Sequence, residues 1–182
     1  MHFAGEDGVA AYGTLMYVNF IFVAIFLGYS IGSAPIVSYH YGARNSEELK
    51  NLLTKSLKMI GVWGVALFAL AQLIASPLAR IFVGYDPNLF DLTRHGFRIF
   101  CLAFLVNGFN IYGSSFFTAL NNGLLSALIS FLRTLVFQIA SVLLLPMIFG
   151  IDGIWGAVFV AEILTLCVTI ICLAKKQKVY HY

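Results

Sequence analysis

The chain has 182 residues, of which 60% are hydrophobic and only 10% are charged, and its formal net charge is +3. A soluble domain usually carries about 25% charged residues, so this composition excludes an ordinary water-soluble fold. No basic patch is interleaved with exposed aromatic residues, which argues against nucleic acid as a partner.

Five apolar runs follow one another along the chain, and each is long enough to cross a bilayer. A bilayer core of about 30 Å needs roughly 20 apolar residues of helix. The runs are residues 12–38, 59–79, 99–120, 124–149 and 153–174. We therefore predict an all-α polytopic membrane protein. Its five-helix transmembrane domain covers residues 12–174, between an N-terminal segment (1–11) and a C-terminal tail (175–182).

The first run and its connector carry features that bear on helix packing. The pattern Gly28-x-x-x-Gly32 permits a close approach of a second helix. Pro35 removes a backbone hydrogen bond near the end of the run and is a candidate for helix bending. Asn45 and Glu48 have capping-box spacing. They begin an amphipathic segment, residues 45–58, which we predict to lie at the membrane interface.

The distribution of Lys and Arg predicts the orientation in the membrane. Five spans place three basic residues on one side, Arg80, Arg94 and Arg98. The other side receives seven, namely Arg44, Lys50, Lys55, Lys58, Lys175, Lys176 and Lys178. By the positive-inside rule the second side is cytoplasmic. In a plasma membrane the C-terminus is then inside and the N-terminus outside.

The segment before the first run holds Glu6 and Asp7, no Lys or Arg, and no apolar stretch that could serve as a signal peptide. An outside N-terminus normally follows an earlier span that carried it across the membrane. We therefore expect the chain to be the C-terminal part of a longer protein.

Two charged residues, Arg133 and Glu162, lie inside the apolar runs. Each is about nine residues, or roughly 13.5 Å, from the start of its helix, and the two helices enter from opposite sides. Both side chains are therefore predicted near the midplane, where an ionisable group needs a partner or a function. Two interpretations stay open: a structural ion pair, or residues that line a wet cavity and contact ions or substrate.

Polar residues recur at helical spacing in the third run, at Asn107, Asn110, Ser114 and Thr118. Such a stripe either forms hydrogen bonds between helices or lines a solvated cavity, and its length favours the cavity wall. Isolated amides in three other runs, Asn19, Gln72 and Gln138, are expected to join helices.

Catalytic and metal-binding motifs are missing from the sequence. There is no HExxH, no GxSxG and no pair of intramembrane aspartates, so we predict that the protein is not an enzyme. The three cysteines do not have the spacing of a metal site, and we expect no cofactor and no metal.

Three stretches together carry a family resemblance. Residues 35–44 (PIVSYHYGAR), which follow Gly28 and Gly32, resemble the second helix of the C-terminal lobe of MATE multidrug exporters. The pieces 119–122 (ALNN), 130–133 (SFLR) and 143–146 (LLLP) are similar to the region of that family's tenth and eleventh helices. Residues 150–157 (GIDGIWGA), followed by Glu162, resemble its last helix.

The resemblance implies a proton- or sodium-driven antiporter that exports organic cations and amphipathic compounds by alternating access. Such transporters have twelve helices in two lobes, and this chain would be helices eight to twelve. Its partners would then be the lipid bilayer, small-molecule drugs and the missing N-terminal lobe. The same resemblance makes Asn107, Asn110, Arg133 and Glu162 the candidates for the substrate or ion cavity.

Two other functions stay open. A lipid-linked oligosaccharide flippase of related fold would be expected to line its cavity with several cationic residues, whereas the runs offer only Arg133. A non-transporting membrane subunit would tolerate replacement of the polar residues in the spans.

Overall fold

The computed structural model describes residues 5–180 and 182, and these residues form five long helices. The helices are α1 (Gly5–Gly42), α2 (Ser46–Val83), α3 (Pro87–Ala119), α4 (Gly123–Phe149) and α5 (Ile151–Tyr180). Each contains a stretch apolar and long enough to cross a membrane. The prediction of an all-α polytopic membrane protein with five transmembrane helices is confirmed.

The helices extend beyond the apolar runs, most clearly in α2 and α3. The amphipathic segment 45–58 is the first part of α2 and continues without a break into the apolar part, rather than forming a separate interfacial helix. Likewise α3 begins at Pro87 and not near residue 99. The hydropathy pattern identifies only the apolar part of a helix, whereas the helical backbone hydrogen bonds continue into its polar ends.

The ends of the chain follow the same pattern. Helix α1 begins at Gly5, inside the predicted segment 1–11, and residues 1–4 of that segment lie outside the described residues. Helix α5 continues to Tyr180, through most of the predicted tail 175–182. Lysine side chains at a helix end remain in water while the backbone that carries them stays helical.

Asparagine and aspartate side chains define where three of the helices begin. The Asn45 side chain accepts a hydrogen bond from the Glu48 backbone N–H at 3.1 Å and caps α2. Asp86 accepts from the N–H groups of Asn88 and Leu89, and Asn122 accepts from that of Leu125. These acceptors satisfy first-turn N–H groups that have no partner inside the helix.

Helix α3 is the central helix of the bundle, in contact with each of the other four. Its glycines allow this packing: a Cβ at Gly108 would overlap Phe26 of α1 and Ile60 of α2, and a Cβ at Gly113 would overlap Thr169 of α5. None of the other described helices packs closely on Gly28 or Gly32, since a Cβ built at either position would meet none of their atoms within 4 Å.

Helix α4 is irregular at its centre, where Leu132–Phe137 form a π-helical segment. One extra residue per turn changes the direction in which the following side chains point. Arg133 lies in this segment, so the local backbone takes part in directing its guanidinium towards the interior of the bundle.

The two ends of the bundle differ in charge. We call the end with the α1–α2 turn and the C-terminus of α5 the basic end, because it carries Arg44, Lys50, Lys175, Lys176 and Lys178. The other end, with the α2–α3 and α4–α5 turns, is called the opposite end. Helices α1, α3 and α5 run from the opposite end to the basic end, and α2 and α4 run back.

A candidate ion-binding site inside the helical bundle

Arg133 of α4 and Glu162 of α5 form an ion pair inside the membrane-spanning part of the bundle. The Arg133 Nη2 and Nε atoms donate to Glu162 Oε1 at 2.7 and 2.8 Å. The Glu162 side chain is 6% exposed and that of Arg133 is 25% exposed. The two residues therefore meet, as their predicted depths indicated, and their charges cancel locally.

Two asparagines of α3 complete the coordination of this pair. Arg133 Nη2 also donates to Asn107 Oδ1 at 2.6 Å. The Asn110 Nδ2 donates to Glu162 Oε2 at 2.7 Å and to the Glu162 backbone oxygen at 2.8 Å. Both asparagines are almost completely buried. Both carboxylate oxygens of Glu162 thus have donors, which lowers the cost of keeping the charge out of water.

Thr169 orients the Asn110 amide from the far side. Its hydroxyl donates to Asn110 Oδ1 at 3.1 Å, so the Nδ2 group must face Glu162. Thr169 is 1% exposed and lies two helical turns after Glu162 on the same face of α5. The absence of a side chain at Gly113 leaves the space that the Thr169 methyl group occupies.

A cavity of about 280 Å³ borders the ion pair on the side of the opposite end. We call it the pair cavity. Its polar lining consists of Tyr12, Asn19, Asn107, Arg133, Gln138 and Glu162, together with Thr134. The pair is therefore both a hydrogen-bonded ion pair and part of a cavity wall. Contact of Arg133 and Glu162 with ions or substrate stays a prediction.

The polar stripe of α3 divides into two parts. Asn107 and Asn110 contact the ion pair, as described above. Ser114 and Thr118 instead join a cluster of hydroxyl groups with Ser126 and Ser130 of α4, with oxygen–oxygen distances of 2.7–2.9 Å. The stripe therefore forms interhelical hydrogen bonds along its whole length.

A second cavity, of about 270 Å³, lies beside this cluster on the side of the basic end. We call it the hydroxyl cavity. Its polar lining is Ser30, Ser114, Ser115, Thr118, Ser130 and Arg133. The stripe is therefore also a cavity wall at Ser114 and Thr118.

Other predicted residues lie away from the pair or do not contact it. Pro35 lies inside α1, which continues to Gly42, and its role in helix bending remains a prediction. Gln72 donates to the backbone oxygen of Arg98 and so joins α2 to α3. Asn19 and Gln138 both line the pair cavity.

Thr169, Ser126 and Ser130 belong to the site but were not among the predicted residues. Ser126, Ser130 and Arg133 follow at spacings of four and three, which places them on one face of α4. Thr169 follows Glu162 by seven residues, which is also a same-face spacing. These spacings relative to the buried charges are the signal that could have identified them.

The fold and the buried pair define a polytopic helical membrane protein with a coordinated ion pair beside two partly open cavities. The MatE family model matches residues 1–144, and the chain belongs to the MatE family. A curated relative, the probable multidrug resistance protein YoeA of Bacillus subtilis (strain 168), is 24% identical over 183 residues. That alignment covers 97% of this chain but only 38% of the relative.

Solved transporter structures have the same fold. An inward-facing and an outward-facing structure of a multidrug resistance MATE family transporter of the MOP superfamily each match with a TM-score of 0.90 and 20% identity. They cover 98% of this chain and 42% and 41% of the respective transporter chains. A structure of MATE in complex with MaL6 matches with a TM-score of 0.89 and 20% identity over 98% of this chain and 41% of its own. The chain thus spans less than half the length of the proteins that it matches.

Proposed function

We propose that this chain is part of a cation-coupled antiporter that exports organic cations and other amphipathic compounds by alternating access, with H⁺ or Na⁺ as the coupling ion. One observation carries the proposal: the Glu162 carboxylate, 6% exposed, lies between Arg133 and Asn110 and borders the pair cavity. Ionisable residues within transmembrane helices commonly mark ion and substrate paths.

The geometry of the pair suggests how an ion could change the protein. Arg133 holds Glu162 Oε1 with two hydrogen bonds, so a proton or a sodium ion on this carboxylate competes directly with the guanidinium. Ion binding would then release Arg133, which lies on α4, from Glu162 on α5. A change in ion occupancy thereby becomes a change in the contact between two helices.

The likeness to two transport states supports motion of this unit as one body. The inward-facing and outward-facing structures match the chain with the same TM-score, 0.90. A five-helix unit that fits both states moves against other parts of the transporter rather than rearranging within itself. The missing N-terminal lobe and one further helix of this lobe are the partners that we propose, together with the lipid bilayer.

A flippase for lipid-linked oligosaccharides is less well supported. Of the residues that line the pair cavity and the hydroxyl cavity, Arg133 is the one cation, and Glu162 neutralises it. A pyrophosphate group would need several uncompensated cationic side chains. A non-transporting subunit would give no reason to keep the buried Glu162 carboxylate, which the Arg133 and Asn110 side chains coordinate.

We further propose a plasma-membrane location with the basic end in the cytoplasm, because Lys and Arg accumulate at that end. A reporter that is active only in the cytoplasm should therefore be active when it is fused after Tyr182. Activity of a periplasmic or extracellular reporter at the same position would reverse the orientation.

The transport proposal is tested by ethidium export from drug-sensitive cells. The 182-residue chain is compared with the same chain extended by its upstream coding sequence, and we expect export only from the extended form. In that form Glu162→Gln should abolish export. The matched control is Asp152→Asn, an exposed carboxylate on the same helix, which should leave export unchanged. Normal export by a well-expressed Glu162→Gln protein would contradict the assignment of Glu162 as the coupling residue.

A further inference from the structure

The pair cavity and the hydroxyl cavity lie one after the other along the bundle and have one lining residue in common, Arg133. The pair cavity takes Asn19 from α1 and Gln138 from α4, both in the half of the bundle near the opposite end. The hydroxyl cavity takes Ser30 from α1 and Ser130 from α4, both in the half near the basic end. The Arg133 side chain thus stands between two polar spaces that reach towards different ends.

The hydroxyl cluster forms a continuous hydrogen-bonded chain towards the basic end. Thr118 Oγ1 is 2.7 Å from Ser126 Oγ, which is 2.9 Å from Ser114 Oγ. Ser114 Oγ is in turn 2.9 Å from Ser130 Oγ. Each hydroxyl can donate one hydrogen bond and accept another, so the chain can pass a proton along. Thr118 at one end and Ser130 at the other are both exposed, and Ser130 lies one helical turn before Arg133.

A buried hydroxyl beside this chain has no hydrogen-bond partner among the described residues. Ser30 Oγ is in the lining of the hydroxyl cavity, its residue is 2% exposed, and it makes no hydrogen bond within the described part of the chain. A buried polar group of this kind usually has a protein or a water partner. The cavity volume of about 270 Å³ exceeds the roughly 30 Å³ that one water occupies in the liquid. The cavity therefore suits water that links Ser30, the hydroxyl chain and the Arg133 guanidinium.

We infer that this five-helix unit contains a proton path of its own. The hydroxyl cavity leads from the basic end to Arg133, and the Arg133 guanidinium separates it from Glu162 and the pair cavity. A proton that comes through the hydroxyls and passes this guanidinium converts the Glu162 carboxylate to the acid, and each hydroxyl on the way gives up one proton and gains another. The inference rests on the proposed function only in treating Glu162 as the group that exchanges the proton.

The charges around Glu162 support a block at Arg133. Arg133 on α4 and Tyr12 on α1 are the titratable side chains that share the pair cavity with Glu162. Helix α3 contributes the neutral amides Asn107 and Asn110. Among the described residues of α5, no titratable side chain besides Glu162 itself contacts the carboxylate. A fixed guanidinium repels a passing proton, as cationic side chains do in pores that exclude cations.

Proton flux into liposomes that contain the purified 182-residue chain tests this inference without any drug. A potassium gradient with valinomycin sets the voltage, and a trapped pH dye reports the flux. We expect Arg133→Gln to raise the flux by about tenfold or more, because a unit charge at contact distance opposes a cation strongly even in a polar site. Arg133→Lys keeps the charge and should raise the flux much less than Arg133→Gln does.

Further variants test the path itself. In the Arg133→Gln background, Glu162→Gln and the double change Ser114→Ala with Ser130→Ala should each return the flux towards the wild-type value. Ser141→Ala, a buried serine of α4 that lines neither cavity, should not. A high flux that persists after the serine changes would overturn the hydroxyl route.

Arg133→His is a second variant for the same flux assay, to be used if Arg133→Gln does not fold. Histidine keeps a hydrogen-bond donor for Glu162 but can lose its charge near neutral pH, so this variant should also conduct protons. Wild-type flux in whichever of the two variants is folded, judged by circular dichroism, overturns the inference. Because the assay contains no drug, this failure is separate from a failure of ethidium export.

Discussion

The guanidinium of Arg133 lies 2.7 Å from Glu162 Oε1 and so connects the middle of α4 to the middle of α5. Helix α4 is otherwise the least buried helix of the bundle. The pair is thus a polar contact on a helix with few buried apolar side chains. Asn107 and Asn110 extend the contact to α3, so three helices meet at one pair of opposite charges.

Removal of one charge of this pair should destabilise the protein more than removal of both. Arg133→Gln or Glu162→Gln leaves an unpaired buried charge, a change that typically costs about 3–5 kcal/mol. The double variant leaves neutral amides and should recover most of that loss. Thermal unfolding in detergent measures all four proteins. Additive losses in the double variant would contradict a direct energetic link between the two side chains.

The hydroxyl of Thr169 should matter more than that of Thr165, although both residues are buried on α5. Thr169→Val leaves Asn110 Oδ1 without its donor, at a cost of about 1–3 kcal/mol. Thr165→Val removes only a bond to the Ala161 backbone oxygen, which the helix already satisfies. The comparison uses unfolding midpoints of the two variants, and equal losses would mean that Thr169 does not hold the Asn110 amide in place.

A methyl group at position 113 should push α3 and α5 apart. In Gly113→Ala the new Cβ would overlap the Thr169 methyl carbon, and overpacking of this kind costs about 1–3 kcal/mol. Thr169→Ser removes that methyl group and keeps the hydroxyl, so the double variant should regain stability. Gly28→Ala is the control, since a Cβ there would meet no atom of another helix within 4 Å in the described part of the chain. Failure of the serine to rescue Gly113→Ala would place the strain elsewhere.

Some features of the site could be predicted from the sequence because they depend on position along single helices. Arg133 and Glu162 are the two charges in apolar runs, and a rise of 1.5 Å per residue places both near the midplane. Their antiparallel helices are joined by a short turn at Gly150, so the helices must be neighbours. Depth and adjacency together predicted the pair, although not its coordination.

The coordination depended on helix rotation, which the sequence pattern did not reveal. The π-helical segment at Leu132–Phe137 helps to set the direction of the Arg133 side chain. No residue type within the segment indicates from the sequence that the helix is π-helical there. The contact between Gly113 and Thr169 required α3 and α5 to approach at one register. The Gly28-x-x-x-Gly32 pattern likewise permits a close approach without saying which helix will pack on it, and no other described helix does so.

The sequence by itself determined the number of spans, the membrane environment and the midplane depth of the two charges. These properties follow from hydrophobic length and helix rise, which are local quantities. The tertiary structure alone decided that Asn107, Asn110 and Thr169 surround the pair and that Arg133 lies between two cavities. Those relations join residues of different helices, and the relative rotation of the helices is set by packing across the whole bundle.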